Sequence, residues 1–132
     1  MTRTLTNPAG LHDPTGFGYS HVVSAPGEQV FIAGQYASDD SGAVTTGDFA
    51  AQVDQSLAHL RTALAAVGLD VGHVVRLGTY IVDHDPEKLR VLGAALHRVW
   101  GAGLPAQTLV GVAALALPEM LFEIDAVAIA PR

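Results

Sequence analysis

Two polar side chains near the end of the chain sit in apolar strand patterns where neither has a packing task. Gln107 lies in Leu104-Pro105-Ala106-Gln107-Thr108-Leu109-Val110, and Glu123 in Phe122-Glu123-Ile124-Asp125-Ala126-Val127. A glutamate accepts protons, and partial burial raises its pKa towards that of a useful general base. A glutamine offers two N–H donors and one acceptor without charge, which suits a neutral polar partner. By type alone they offer a proton acceptor and a neutral hydrogen-bonding group. Other chemistries find less support. His12, His21, His59, His73, His84 and His97 show neither His-x-His nor His-Glu-x-x-His spacing, so no metal is expected. His21 lies two residues after Tyr19, on the same face of a strand, and reads most simply as a surface residue. The absence of cysteine excludes thiol nucleophiles, disulfides and Cys-based metal sites. Ser24 and Ser56 lack a Gly-x-Ser-x-Gly context. Gly16-Phe17-Gly18 lacks the third glycine and the following helix of a dinucleotide site, and no cofactor is implied.

The elements that must position these groups are legible. Met1 to Thr15 reads as an extended arm, with Pro8, Gly10 and Pro14 opposing helix. Phe17 to Val23 reads as a strand, Ser24 to Glu28 as a Pro-Gly turn, and Gln29 to Ala33 as the returning strand of a hairpin. Gly34-Gln35 leads into a polar loop, Ser38 to Gly47. Phe49, Val53, Leu57, Leu60, Leu64 and Val67 form one helical stripe, with Asp48 as its cap and Gly68 at the left-handed end. Val74 to Val82 reads as a strand with Val75, Leu77, Thr79 and Ile81 on one face. Asp85-Pro86 opens a second helix, whose buried stripe is Leu89, Leu92, Leu96 and Val99 and whose end is marked by a packing Trp100. Two strands follow, joined by a Pro-containing turn. The order is ββαβαββ, with two helices side by side on one face of a mixed sheet: an α+β two-layer sandwich.

Composition narrows the partners. The chain has 132 residues, a length that fits a single domain over 1–132. Apolar residues make up 49% and charged residues only 15%, against roughly 25% in an average soluble protein. That shortage predicts that part of the surface is buried against other subunits. The net charge is −6, and the 7 Lys and Arg form no cluster. Nucleic acid and anionic membranes are therefore not expected partners. The N-terminal segment has no apolar core of a signal peptide, and no apolar run approaches the ~20 residues of a membrane span. A soluble cytoplasmic protein is the expectation.

Several segments resemble the Rid family (reactive intermediate deaminases, YjgF-like, once labelled endoribonuclease L-PSP). Gly18-Tyr19-Ser20 resembles the family's Gly-Pro-Tyr segment, and Phe31-Ile32-Ala33-Gly34-Gln35 its apolar-Ser-Gly-Gln segment. Gln52-Val53-Asp54-Gln55-Ser56-Leu57 resembles the start of its first helix, and Ala66-Val67-Gly68-Leu69 the turn that ends it. Pro105-Ala106-Gln107-Thr108 resembles Pro-Ala-Arg-Ser/Thr, and Glu123-Ile124-Asp125-Ala126-Val127-Ala128 the Glu-Ile-Glu-Ala-Ile-Ala ending. The likeness spans roughly residues 15 to 130. It implies a chorismate-mutase-like fold and a homotrimer with small-molecule clefts between subunits. It also implies a water-mediated deamination of imines or enamines that needs no metal or cofactor. By resemblance Glu123 is the catalytic residue, while Tyr19, Gly34 and residue 107 line the substrate site. From its strand alone Glu123 reads as a solvated carboxylate on an open face; in the family that face lines the cleft.

Two departures stand out. The deaminases carry an arginine where this chain has Gln107, and an asparagine near Gly93. An arginine grips a carboxylate through a planar fork with full opposite charge, whereas glutamine offers only neutral donors. The swap weakens carboxylate binding by on the order of 2–4 kcal/mol. The pocket thus reads as retained and its substrate class as changed, unless Arg76 or Arg98 supplies the charge. The function read from the sequence is hydrolysis of an imine, enamine or related small carbonyl compound. The alternative is a non-catalytic small-molecule binding protein of the same fold. RNA cleavage fits poorly with an acidic chain that lacks a basic groove.

Overall fold

The computed structural model describes residues 3–132. Among the described residues six strands occur: β1 (Thr4–Thr6), β2 (Val22–Ser24), β3 (Glu28–Gln35), β4 (Val74–Val82), β5 (Ala106–Val112) and β6 (Phe122–Ala130). Two helices, α1 (Phe49–Ala66) and α2 (Pro86–Trp100), complete the frame, with 3-10 turns at Thr15–Phe17 and Val71–His73. The main sheet runs β3-β6-β4-β5. β6 is antiparallel to both neighbours, while β4 and β5 are parallel. The sheet is therefore mixed, and both helices lie on one face of it, as the α+β sandwich reading requires.

The helices start and stop where their chemistry dictates. The Asp48 carboxylate accepts from Ala51 N–H at 2.9 Å, and the Asp85 carboxylate from Lys88 N–H at 2.8 Å, with Pro86 in the first turn. Gly68 takes φ +75° after α1, a conformation with little cost for glycine. The core between helices and sheet is continuous, from Val53, Leu57, Leu60 and Leu64 on α1 to Leu77, Ile81, Phe122 and Ile124 on the strands. Trp100 is buried at the end of α2 and donates its indole N–H to the Val71 carbonyl at 2.7 Å.

Three expectations need correction. The strand expected over Phe17–Val23 is not the first arm of a hairpin with β3. Phe17 ends a 3-10 turn, Gly18 turns left-handed at φ +89°, and only Val22–Ser24 is strand. That strand pairs with β1, so the N-terminal arm is itself part of a small sheet. The intended turn bends sharply at Gly27, φ +139°, where any Cβ would strike the Ala130 carbonyl; this sends β3 alongside β6. On β4 a register shift between Val74 and Arg76 puts Val74, not Val75, fully in the core. Val67 is 57% exposed, because the chain leaves α1 before it.

The start of the arm is fastened by Arg3. Arg3 donates to the Val74 carbonyl at 2.7 Å and to the Gly103 carbonyl at 2.8 Å. A charged guanidinium makes stronger hydrogen bonds to carbonyls than a neutral donor does. We expect Arg3→Ala to cost about 1–3 kcal/mol in a denaturant titration. It should also make the segment before Gly16 the first site of limited proteolysis.

Candidate functional site

Gln107 stands second on β5, paired with Leu77 of β4. Leu77 is fully buried beneath the helices, so Gln107 points to the helix side. Strand β5 is the sheet edge, and a cavity of about 370 Å³ opens beside it. Gln107 and Leu109 form its floor, Leu89 and Leu92 of α2 one wall, and His12, Phe17 and Tyr19 the other. The amide of Gln107 is oriented by two partners. The Gly18 carbonyl can only accept, so it takes Nε2–H at 3.4 Å. The buried Thr79 hydroxyl donates to Oε1 at 2.8 Å. One Nε2–H of Gln107 remains to offer a ligand, beside an oxygen that already accepts from Thr79.

The wall of His12, Phe17 and Tyr19 is held by the backbone around it. Ser20 N–H donates to the Pro105 carbonyl at 3.0 Å and ties this segment to the start of β5. Two imidazoles pin it further. His21 Nε2–H donates to the His12 carbonyl at 2.8 Å, and His97 Nε2–H to the Thr15 carbonyl at 2.7 Å. Gly18 approaches α2 so closely that a Cβ on it would lie 3.2 Å from Gly93 Cα. Gly93 in turn keeps the helix surface low under Phe17; a Cβ there fits, 3.8 Å from the Phe17 carbonyl oxygen, but a longer side chain would press on it. At the glycine read as a departure, a small residue keeps the space under Phe17 open. Inside the cavity His12 Nε2 and the Tyr19 hydroxyl share a hydrogen bond of 2.7 Å.

Glu123 is elsewhere. It pairs with Tyr80 on β4 and faces the side of the sheet that no helix covers. A register shift in β3 between Ile32 and Gln35 brings Gly34 against it. A Cβ at Gly34 would fall 2.5 Å from Glu123 Oε2, so the carboxyl occupies the space that glycine leaves open. Burial, and then the nearby Asp125, push the Glu123 pKa up. Asp125 is held in turn, accepting from Gly78 N–H at 3.1 Å and from the Tyr80 hydroxyl at 2.9 Å. That bond to Asp125, with burial behind it, raises the Tyr80 pKa. The loop entering β6 is fixed by fully buried Gln52. Its amide donates to the Thr46 and Glu119 carbonyls and accepts from Leu121 N–H at 2.9 Å.

The expected site residues therefore form two groups. Tyr19 and Gln107 line the cavity on the helix side, whereas Gly34 and Glu123 touch each other on the open side. A single chain does not bring Gln107 and Glu123 together. Neither rival cation reaches the cavity within the chain. Arg76 alternates with Leu77 and shares the open face with Tyr80 and Glu123. Arg98 pairs with Asp54 across the outer helix surfaces at 3.3 Å. Sequence reasoning missed His12, Phe17, Tyr80 and Asp125. His12 and Phe17 lie in irregular segments without periodicity. Tyr80 and Asp125 were detectable as polar residues alternating with core residues on β4 and β6. Among the described residues, no three His, Asp or Glu side chains gather to hold a metal ion.

Comparison with known proteins agrees with this architecture. Residues 12–130 match the family model described as endoribonuclease L-PSP. A Rid-family protein of Yersinia pestis, YyfB, superposes with a TM-score of 0.92 at 39% identity, over 98% of this chain and 100% of its own. Protein DfrA of Myxococcus xanthus is 34% identical over 119 residues, 84% of each chain. The 2-iminobutanoate/2-iminopropanoate deaminase of Salmonella typhimurium is 30% identical over 104 residues, 78% of this chain and 80% of its own.

The raised Glu123 pKa has a stability consequence of definite sign. A carboxyl whose folded pKa exceeds its unfolded value binds more protons when folded. Its penalty is absent below the ordinary carboxylate pKa and grows as pH rises through the raised value. Glu123→Gln is thus expected to be more stable than wild type at neutral pH. The difference should vanish in acid, as followed by denaturant titrations across pH. A wild type that is the more stable at neutral pH would contradict the assignment.

Proposed function

This chain belongs to the endoribonuclease L-PSP family, the Rid/YjgF proteins, and we propose that it hydrolyses a small imine, enamine or related carbonyl compound of a changed substrate class. The observation that carries this reading is Glu123, a partly buried carboxyl with a raised pKa pressed against Gly34. The reading takes the protein as a homotrimer, in which the cavity of Tyr19 and Gln107 on one copy meets the Gly34–Glu123 face of the next. Support comes from the open face itself, where Phe31 is 73% and Val110 41% exposed. The low charged fraction, 15%, points the same way.

In this arrangement Glu123 takes a proton from water as the oxygen attacks the imine carbon. The C=N bond becomes C–N, and the nitrogen gains two protons and leaves as ammonia. A carbonyl product remains. Gln107 donates to a neutral acceptor of the substrate where a cationic side chain would grip a carboxylate. No cofactor enters this scheme. Its place in the cell is read as the cytoplasm. Among the described residues, no helix is long and apolar enough to cross a membrane.

A second reading is a binding protein without turnover, favoured by the absence of Lys or Arg from the cavity lining. Calorimetric binding without consumption of ligand would support it.

The test is imine loss with amino-acid-derived imines, generated freshly by an amino-acid oxidase. Wild type should be slow, and Gln107→Arg should gain at least about tenfold, since a neutral-to-charged anchor is worth a few kcal/mol. Adding Glu123→Gln to that variant should abolish the gain. A wild type already at full rate would mean that another cation holds the carboxylate, with Arg76 first to mutate. If neither protein turns over, the binding reading takes precedence.

A further inference from the structure

We propose that His12 is a specificity-determining residue: with Tyr19 it forms the second polar contact of the Gln107 cavity, which thereby selects an uncharged, single-ring carbonyl or amide compound over the matching carboxylate. The inference rests on the reading of that cavity as the ligand site, but it concerns recognition and not turnover.

The shape argues for a flat ligand. The volume, about 370 Å³, lies at the small end of ligand pockets. One wall is aromatic. The His12 ring stands edge-to-face with Phe17 at 5.9 Å and with Tyr19 at 6.1 Å between centroids, and His21 backs it at 4.9 Å. Leu89, Leu92 and Leu109 supply the opposing apolar surface. Phe17 is held out from the core, 51% exposed, so its ring is available to a ligand.

The polar groups argue for a neutral one. Gln107 offers its second Nε2–H, the first being given to the Gly18 carbonyl. The second pole is the 2.7 Å bond between His12 Nε2 and the Tyr19 hydroxyl. If Nε2 carries the proton it donates to the Tyr19 oxygen, and the phenolic proton is free for a ligand acceptor. If Nε2 is bare it accepts the phenolic proton, and Tyr19 turns a lone pair towards a ligand N–H. The pair therefore adapts to either end of a neutral amide or carbonyl compound. The lining that one chain supplies holds no Lys or Arg for a carboxylate, and Arg76 lies on the opposite face of its sheet. The cation of the adjoining groove, Arg90, is paired with Glu87.

The experiment is titration calorimetry of the assembled protein with benzamide and with benzoate, which share a ring and differ in charge. Wild type should bind benzamide at least about tenfold more tightly, since a carboxylate entering without a cation loses its hydration uncompensated. Tyr19→Phe, which keeps the ring, and His12→Ala should each weaken benzamide about three- to tenfold. Gln107→Arg should reverse the order of the two ligands. Benzoate binding as tightly as benzamide to wild type would overturn the proposal. So would benzamide affinity unchanged in both wall variants, or no binding of either compound. Selectivity for benzamide without turnover in the imine assay would sink only the hydrolytic reading.

Discussion

The register of β4 against its two neighbours is the constraint on which the site depends. β4 pairs Leu77 with Gln107 on one side and Tyr80 with Glu123 on the other. Leu77 and Tyr80 are three residues apart, so their side chains leave opposite faces of the sheet. Gln107 is thereby committed to the helix side and Glu123 to the open side. Sliding β6 by one residue would bury Glu123 and Asp125 in the core and expose Phe122 and Ile124, both fully buried, and sliding β5 would turn Gln107 to the open side. The same hydrophobic burial that specifies the fold also separates the two halves of the chemistry.

Each half is then shaped by small residues where bulk would intrude. Gly34 leaves room for the Glu123 carboxyl, and Gly78 for Asp125, whose Oδ1 would lie 2.5 Å from an added Cβ. Gly18 and Gly93 let the cavity wall settle on α2. Polar side chains in turn fix the irregular segments. Arg3 fastens the arm, His21 and His97 hold the stretch from His12 to Thr15, and Gln52 fixes the entry to β6. A neutral cavity at Gln107 and a proton-accepting face at Glu123 follow from these local arrangements.

The periodic elements were legible in the sequence because burial writes them there. The α1 stripe up to Leu64, its Asp48 cap and Gly68 stop, β4 over Val74–Val82, and Asp85-Pro86 at the start of α2 all match. The α+β architecture and its family likeness followed. The first hairpin was misread because Phe17 to Val23 alternates like a strand, while the two glycines flanking Phe17 and the contact with Gly93 bend it into a turn. That contact joins residues 75 positions apart, which no local pattern carries. His12 was passed over for the same reason: its partner Tyr19 lies across a turn that spacing alone does not reveal. Gln107 and Glu123 were recognisable as unpacked polar groups, but their opposite facing needed the strand order, with β4 set between β5 and β6.

The central claim is that these two residues meet only between copies of the chain. Native mass spectrometry of the wild-type protein at low micromolar concentration tests it most directly. The account predicts one dominant species of three chains. A dominant single chain of 13.7 kDa would contradict it, because in that species Gln107 and Glu123 stay on opposite faces of one sheet.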